Sequence, residues 1–192
     1  QLLYGSGLRL SEALRLRIKD IDLKTLRLTI RDGKGDKDRI TILSPSLVDP
    51  LKIKIERRRA QHKSDLAAGL GSVYLPDALA RKYPRSALDF GWQYLFASPR
   101  LSLDPRSGKK QRHHILPSNV QRAITIAAKI CKLDQRVSPH VFRHSFATRM
   151  LESGVPLHQL KDLMGHESIE TTAIYLHTIE VSGRTIVSPL DT

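Results

Sequence analysis

LRLTIRDGKGDKDRITIL, residues Leu26–Leu43, holds two alternating segments around a turn-forming centre. In Leu26–Ile30 (LRLTI) and Arg39–Leu43 (RITIL), apolar and polar side chains take turns, the period-two pattern of a half-buried strand. Between them, Asp32-Gly33-Lys34-Gly35-Asp36-Lys37-Asp38 supplies the glycines and aspartates that turns require. The pattern predicts an antiparallel β-hairpin with Lys34 and Lys37 in its turn.

Outward from the hairpin the periodicity becomes helical. Upstream, Ser11–Arg17 suits a short helix with Glu12 in its first turn, where the helix dipole favours a carboxylate. Downstream, Ser46–Ala68 carries Leu47, Leu51, Ile55 and Leu66 on one side. Its other side holds Lys52, Lys54, Arg57, Arg58, Arg59 and Lys63, a pattern that a solvated charged face explains. Asp77–Lys82 forms a short helical piece between Pro76 and Pro84, and Trp92–Phe96 suits a short strand. Pro99–Arg112 reads as a polar, basic loop, and loops of that length are commonly functional or disordered. In the last third, Ser118–Lys132 places Val120, Ile124, Ala127, Ala128 and Cys131 on one stripe. Ser138-Pro139 opens a helix that should end at Gly154. Pro156 starts a short helix closed by Gly165, and Ser168 caps another to about His177. The expected fold class is α+β, mainly α-helical with a small antiparallel sheet near the N-terminus.

The 192 residues carry 32 Lys+Arg against 19 Asp+Glu, a formal charge of +13. Such a balance points to a polyanionic partner, nucleic acid first, although a merely basic surface would share it. The single cysteine, Cys131, excludes an intramolecular disulfide framework and a multi-cysteine metal site. No run approaches the roughly 18 apolar residues of a membrane span, and QLLYGSGLRL lacks the parts of a signal peptide. These features predict a cytoplasmic protein with no membrane partner. Gln1 stands where an initiator Met would, and Leu2-Leu3-Tyr4 reads as a helix end, so the chain is expected to be part of a longer protein.

His140 and His144 stand four apart on a predicted helix, a spacing that can hold a metal ion. Arg143 occupies the same turn, however, and no Glu follows His140, so no metal site is expected there.

Five segments carry a family likeness: GSGLRLSE (Gly5–Glu12), GKGDKDR (Gly33–Arg39), SPHVFRHSFAT (Ser138–Thr148), LMGHES (Leu163–Ser168) and TTAIYLHT (Thr171–Thr178). In this order and with these gaps they closely resemble the motifs of tyrosine recombinases, across almost the whole chain. The resemblance gathers Arg9, Lys34, His140, Arg143, His166 and Tyr175 into one site; spacing alone does not. It implies the tyrosine recombinase catalytic-domain fold and a covalent 3′-phosphotyrosine made by attack of Tyr175 on a DNA phosphate. Arg9 and Arg143 would clamp the non-bridging oxygens, as forked guanidiniums can, with a hydrogen bond from His166. His140 would act as acid/base near the nucleophile and Lys34 as general acid for the leaving 5′-oxygen, with Lys37 as the alternative. Glu12 would orient Arg9. No cofactor, ATP or metal is implied.

Leu75–Pro117 (LPDALARKYP…GWQYLFAS…RHHILP) further looks like the insertion that sets integron integrases apart. That likeness implies folded single-stranded sites recognised by their extrahelical bases, with Trp92, His113 and His114 stacking on or cradling such a base. Lys82, Lys109, Lys110 and Arg112 would add phosphate contacts. The family's N-terminal domain has no counterpart here, so residues 1–192 match the catalytic domain alone. A full-length enzyme of this kind is expected to be bacterial, nucleoid-associated and tetrameric on DNA, with Glu180–Thr192 a candidate for exchange between protomers. A type IB topoisomerase-like strand transferase or a non-catalytic DNA-binding remnant are the alternatives; a metal-dependent nuclease would need an acidic cluster that is not visible near His140.

Overall fold

Three short strands form an antiparallel sheet in the order β1 (Ile21–Asp22), β2 (Arg27–Ile30), β3 (Arg39–Ile42). The computed structural model describes residues 1–31 and 38–176. The expected turn residues Lys34 and Lys37, like Glu180–Thr192, therefore lie outside the described residues. The two hairpin strands pair with Leu28 opposite Thr41 and Ile30 opposite Arg39. Directly opposed residues share a face, and Leu28 and Ile30 face the core. Arg39, Thr41 and Leu43 consequently point inward, while Ile40 and Ile42 are exposed. A one-residue phase reverses every side chain of a strand. Here it turns the two isoleucines of RITIL outward and draws Arg39 in. Thr41 meets the burial by donating its hydroxyl to the Ser6 carbonyl at 3.1 Å.

The sheet packs on α1 (Leu2–Gly5), α2 (Leu10–Arg15) and α3 (Val48–Ala67) through Leu2, Leu3, Leu8, Leu16, Leu47 and Leu51. The second half of α3 departs from its expected amphipathicity. Leu66 is exposed, whereas Arg58, His62 and Asp65 are buried. The reason is the segment that follows. Residues 75–117 fold back over α3 as α4 (Asp77–Lys82), two 3-10 turns and the small hairpin β4 (Ser102–Leu103)–β5 (Lys110–Gln111). Within that segment the supposed strand Trp92–Phe96 is instead the end of a 3-10 turn, Phe90–Trp92, a single bridge from Tyr94 to Arg17, and a turn at Leu95–Phe96. The supposed loop 99–112 contains β4 and β5. Val73, Leu75 and Tyr94 form a small core beneath it.

Buried polar groups hold this layer down. Arg112 donates from Nε and Nη2 to both Asp65 carboxylate oxygens, at 2.6 and 2.7 Å. Its Nη1 serves the Ser98 and Pro99 carbonyls at 2.8 Å. Arg112 is thus engaged internally, with its side chain 9% exposed, and the expectation that it contacts DNA phosphate is corrected on that ground. Removing one partner of such a pair leaves a buried charge uncompensated, so Asp65→Ala is expected to cost about 3–5 kcal/mol of stability. Denaturant titration against the parent measures this.

The C-terminal third comprises α5 (Pro117–Ile130), α6 (Pro139–Glu152), α7 (Leu157–Met164) and α8 (Glu170–Ala173). Gly154 and Gly165 terminate α6 and α7 at positive φ, +89° and +64°, the conformation glycine tolerates best. Phe146, Ala147, Leu151, Leu160, Met164 and Tyr175 make a second core. The stripe on α5 belongs to neither core: Val120, Ile124 and Ala128 are only half-buried, Ala127 and Cys131 are exposed, and no residue of that helix is fully buried. Ile169 rather than Ser168 is the N-cap of α8, which ends at Ala173, short of the expected His177; Ser168 Oγ accepts the Glu170 N–H at 3.2 Å.

Candidate active site

Three pieces of chain meet between the sheet core and the C-terminal core: the start of α2, the second turn of α6 and the turn joining α7 to α8. Arg9 is the N-cap of α2, and Glu12 in the first turn accepts from the Arg9 N–H and from Arg9 Nη1, both at 2.7 Å. Arg9 Nη2 reaches the Gly165 carbonyl at 3.3 Å. Arg143, one turn into α6, donates from Nη1 to the Gly7 carbonyl and from Nη2 to the Met164 carbonyl at 2.6 Å. The two guanidiniums thus rest on adjacent carbonyls of one turn. Gly7 permits this approach: its φ is +63°, and a Cβ there would stand 2.4 Å from the Phe146 ring.

His166 continues the network. Its Nε2 lies 3.0 Å from Arg143 Nη2 and its Nδ1 2.9 Å from Thr172 Oγ1. A guanidinium can only donate, so Nε2 accepts and the proton resides on Nδ1, directed at Thr172. Burial, followed by the charges of Arg143 and Arg9, pushes the imidazole down to about 4, so it is neutral at pH 7. Arg143 is itself lowered, by burial and by Arg9, to about 10 and stays cationic. Glu12 is pushed upward by burial, but hydrogen bonds and charge from Arg39, and then Arg9, prevail and hold it at about 2.

These shifts predict acid lability. The unfolded chain protonates His166 near 6.5 and Glu12 near 4.5, before the folded chain does. Their stabilisation is complete above those values. It falls as pH drops from 6.5 towards 4 for His166 and from 4.5 towards 2 for Glu12. Melting curves against pH should show both losses, and His166→Gln should flatten the upper one.

Tyr175 follows α8 and is buried, with burial raising its phenol above the usual value. Its ring meets His144 at 5.3 Å between centroids and lies parallel to His166 at 6.5 Å. Arg9, Arg143, His166 and Tyr175 are therefore brought together. His140 is exposed on the first turn of α6, one turn before Arg143, and lines a cleft of about 600 Å³ with Leu10, Ser11 and Arg136. Lys34 lies outside the described residues. Among those described, no three His, Cys, Asp or Glu side chains converge as a metal site would require.

A second cleft, about 640 Å³, runs from Glu12 and Arg15 past Tyr74 to the 75–117 segment, where Trp92, Tyr94, Arg106, His113 and His114 line it. The His113 and His114 rings are 4.1 Å apart, and both contact Tyr94. Lys19 covers Trp92 with its ammonium 2.8 Å from the ring centroid. Lys82, Lys109 and Lys110 are exposed. Sequence reasoning missed three residues: Arg39, whose fork grips Glu12; Arg17, which donates to the Trp92 and Tyr74 carbonyls at 2.6 and 3.0 Å; and Lys19. The alternation of RITIL fits either phase, so only the register opposite Ile30 singles out Arg39.

The model of the phage integrase family matches residues 1–180. The chain belongs to that family. It contributes a catalytic domain of the tyrosine recombinase/phage integrase type, with the expected helix-dominated fold and small sheet. An Escherichia coli protein described as an integrase/recombinase is 44% identical over 191 residues, which is 100% of this chain and 57% of that protein. Tyrosine recombinase XerA of Pyrococcus furiosus is 32% identical over 174 residues, 91% of this chain and 47% of its own length. The chain thus spans about half the length of these relatives. A crystal structure of XerA recombinase superposes with a TM-score of 0.63 at 26% identity, covering 97% of this chain and 57% of that one. XerH bound to its difH substrate shares the fold, with a TM-score of 0.59 at 23% identity and coverage of 94% and 42%.

Proposed function

We propose that this phage-integrase domain cleaves and rejoins DNA strands in site-specific recombination through a phosphotyrosine. The observation that carries the reading is the pair of guanidiniums, Arg9 and Arg143, resting on the adjacent carbonyls of Gly165 and Met164, with His166 and Tyr175 on the same turn and its continuation. Two forked cations suit the charge that builds on the non-bridging oxygens of a five-coordinate phosphorus. The Tyr175 oxygen attacks phosphorus, the bond to the 5′-oxygen breaks, and a 3′-phosphotyrosine remains. The phenol proton leaves to His140 or solvent, and Lys34 protonates the departing 5′-oxygen. A 5′-hydroxyl from another strand reverses the step, so the phosphotyrosine conserves the bond energy and neither ATP nor a metal ion takes part.

The partner is DNA. The XerH structure holds its own difH substrate, and the +13 charge of this chain suits a polyanion. The finer reading is an integron-integrase-like enzyme, tetrameric on DNA and at work on the bacterial nucleoid. It selects folded single-stranded sites by an extrahelical base held in the aromatic cleft. Trp92, His113 and His114 supply stacking faces there, worth about 1–3 kcal/mol per base. Lys19 must leave the Trp92 face that a base takes, and Lys82, Lys109 and Lys110 add phosphate contacts. Residues 75–117 are the insertion that builds this cleft.

Two measurements test the reading. With EDTA present, a nicked suicide duplex should trap a covalent protein–DNA adduct on a denaturing gel; its absence at saturating DNA contradicts the chemistry. A hairpin with its extrahelical bases should bind about tenfold tighter than one without. Equal affinities would remove the base-binding role of Trp92, His113 and His114.

A further inference from the structure

We propose that Arg39 is a positioning residue of this active site: a clamp on β3 that fixes Arg9 through Glu12 and fixes the His166 turn through Leu163 and Gly165. It extends the reading of Arg9 as a phosphate ligand, with His166 beside it, and rests on that reading.

The Glu12 carboxylate is saturated. Oε1 accepts from Arg9 Nη1 at 2.7 Å and Arg39 Nη1 at 2.9 Å; Oε2 accepts from the Arg9 N–H and Arg39 Nη2, both at 2.7 Å. Four donors on two oxygens fill the four lone-pair positions of a carboxylate, so neither Glu12 nor the Arg9 fork it holds can rotate independently. The third arm, Arg39 Nε, donates to the Leu163 carbonyl at 3.0 Å, across 124 residues. Next to that carbonyl, Gly165 lies flat against the Arg39 stem: a Cβ on Gly165 would sit 2.7 Å from Arg39 Cδ and 2.9 Å from Nε. Gly165 in turn presents its carbonyl to Arg9 and precedes His166.

Arg39 thus touches both halves of the cluster without joining its open surface. Its side chain is 10% exposed, with Nε, Nη1 and Nη2 each engaged. It also opens β3. One side chain therefore links β3, α2 and the α7–α8 turn, the last two carrying Arg9 and His166. The charges facing Glu12 are Arg9 from its own helix start, Arg39 from β3, and Arg143 from α6 at 3.8 Å. Arg39 is the foremost of those holding Glu12 ionised. A lysine in its place keeps the charge but offers a point donor in place of a fork, and cannot hold Glu12 and Leu163 together.

The test has two arms on the chain as it stands. In ligand-free protein, NMR should show the Glu12 carboxyl titrating markedly higher in Arg39→Gln than in the parent, with the Arg9 Nε–H signal broadened or shifted. Unchanged signals overturn the proposal whatever the activity. With the nicked duplex at saturation, Arg39→Gln should slow adduct formation about a hundredfold, the cost of an ångström-scale misplacement. DNA affinity should stay within twofold, and the acid limb of the rate profile should move to higher pH. Arg39→Lys should keep the charge and recover only part of the rate, and it serves as the variant if Arg39→Gln does not fold. Glu12→Gln combined with Arg39→Gln should be no slower than the slower single variant, because both act through one contact. A rate within twofold of the parent, or full additivity of the two changes, overturns the clamp. A parent that forms no adduct counts against the phosphotyrosine chemistry, and the NMR arm still decides on Arg39.

Discussion

Tyr175→Phe is expected to abolish covalent capture of DNA, lowering adduct formation by about ten-thousandfold or to the detection limit, the scale reached when a nucleophile is removed. The phenylalanine ring keeps the packing against Phe146, Leu160 and Met164 and against the His144 and His166 rings. Only the hydroxyl is lost. Melting temperature and DNA affinity should therefore stay close to the parent's, and the variant separates chemistry from binding. Burial raises the Tyr175 phenol in the ligand-free site, so the hydroxyl needs the proton acceptor and the two cations around the phosphate before it attacks. Adduct unchanged in the variant would move the nucleophile elsewhere.

Arg143→Lys is the second large effect. The Arg143 guanidinium serves the Gly7 carbonyl, the Met164 carbonyl and His166 Nε2 simultaneously. It thereby joins the α1–α2 turn to the α7–α8 turn. An ammonium retains the charge and loses the planar fork, so the phosphate must be met by a group that no longer points at both oxygens. Loss of a preorganised charge clamp costs about 10³-fold or more in phosphoryl transfer, and that slowing of adduct formation is expected at saturating DNA. The salt dependence of binding should change little, since the net charge is unaltered. A stability loss of about 1–3 kcal/mol should accompany it, from the buried carbonyls left without a donor. A rate within tenfold of the parent would show that Arg143 is structural.

Much of this was legible from the chain. Ser138-Pro139, Gly154 and Gly165 mark α6 and α7 because capping chemistry is local, and the motifs that resemble tyrosine recombinases named Arg9, Arg143, His166 and Tyr175. What escaped depends on contacts between residues far apart in sequence. RITIL alternates either way, and only pairing with Leu28 and Ile30 shows that Thr41 and Arg39 are the inward residues. Arg112 reads as one more basic residue of a polar segment until Asp65, 47 positions away, takes its fork. The α5 stripe has helical period and yet no buried residue, since amphipathicity states what a face can cover and not what covers it. Leu66 failed for a related reason: the segment over α3 brings Arg112 and the Tyr94 carbonyl, which call for Asp65 and Arg58 beneath them.

One covalent bond, between Tyr175 and a DNA 3′-phosphate, defines this chemistry. Trapping the adduct on a nicked duplex, digesting with protease and nuclease, and sequencing the nucleotide-bearing peptide by mass spectrometry locates it. The expected peptide spans Thr171–Leu176 and carries the 3′-phosphoryl group on Tyr175. The modification on any of the other four tyrosines, Tyr4, Tyr74, Tyr83 or Tyr94, or on a serine or histidine, would contradict it.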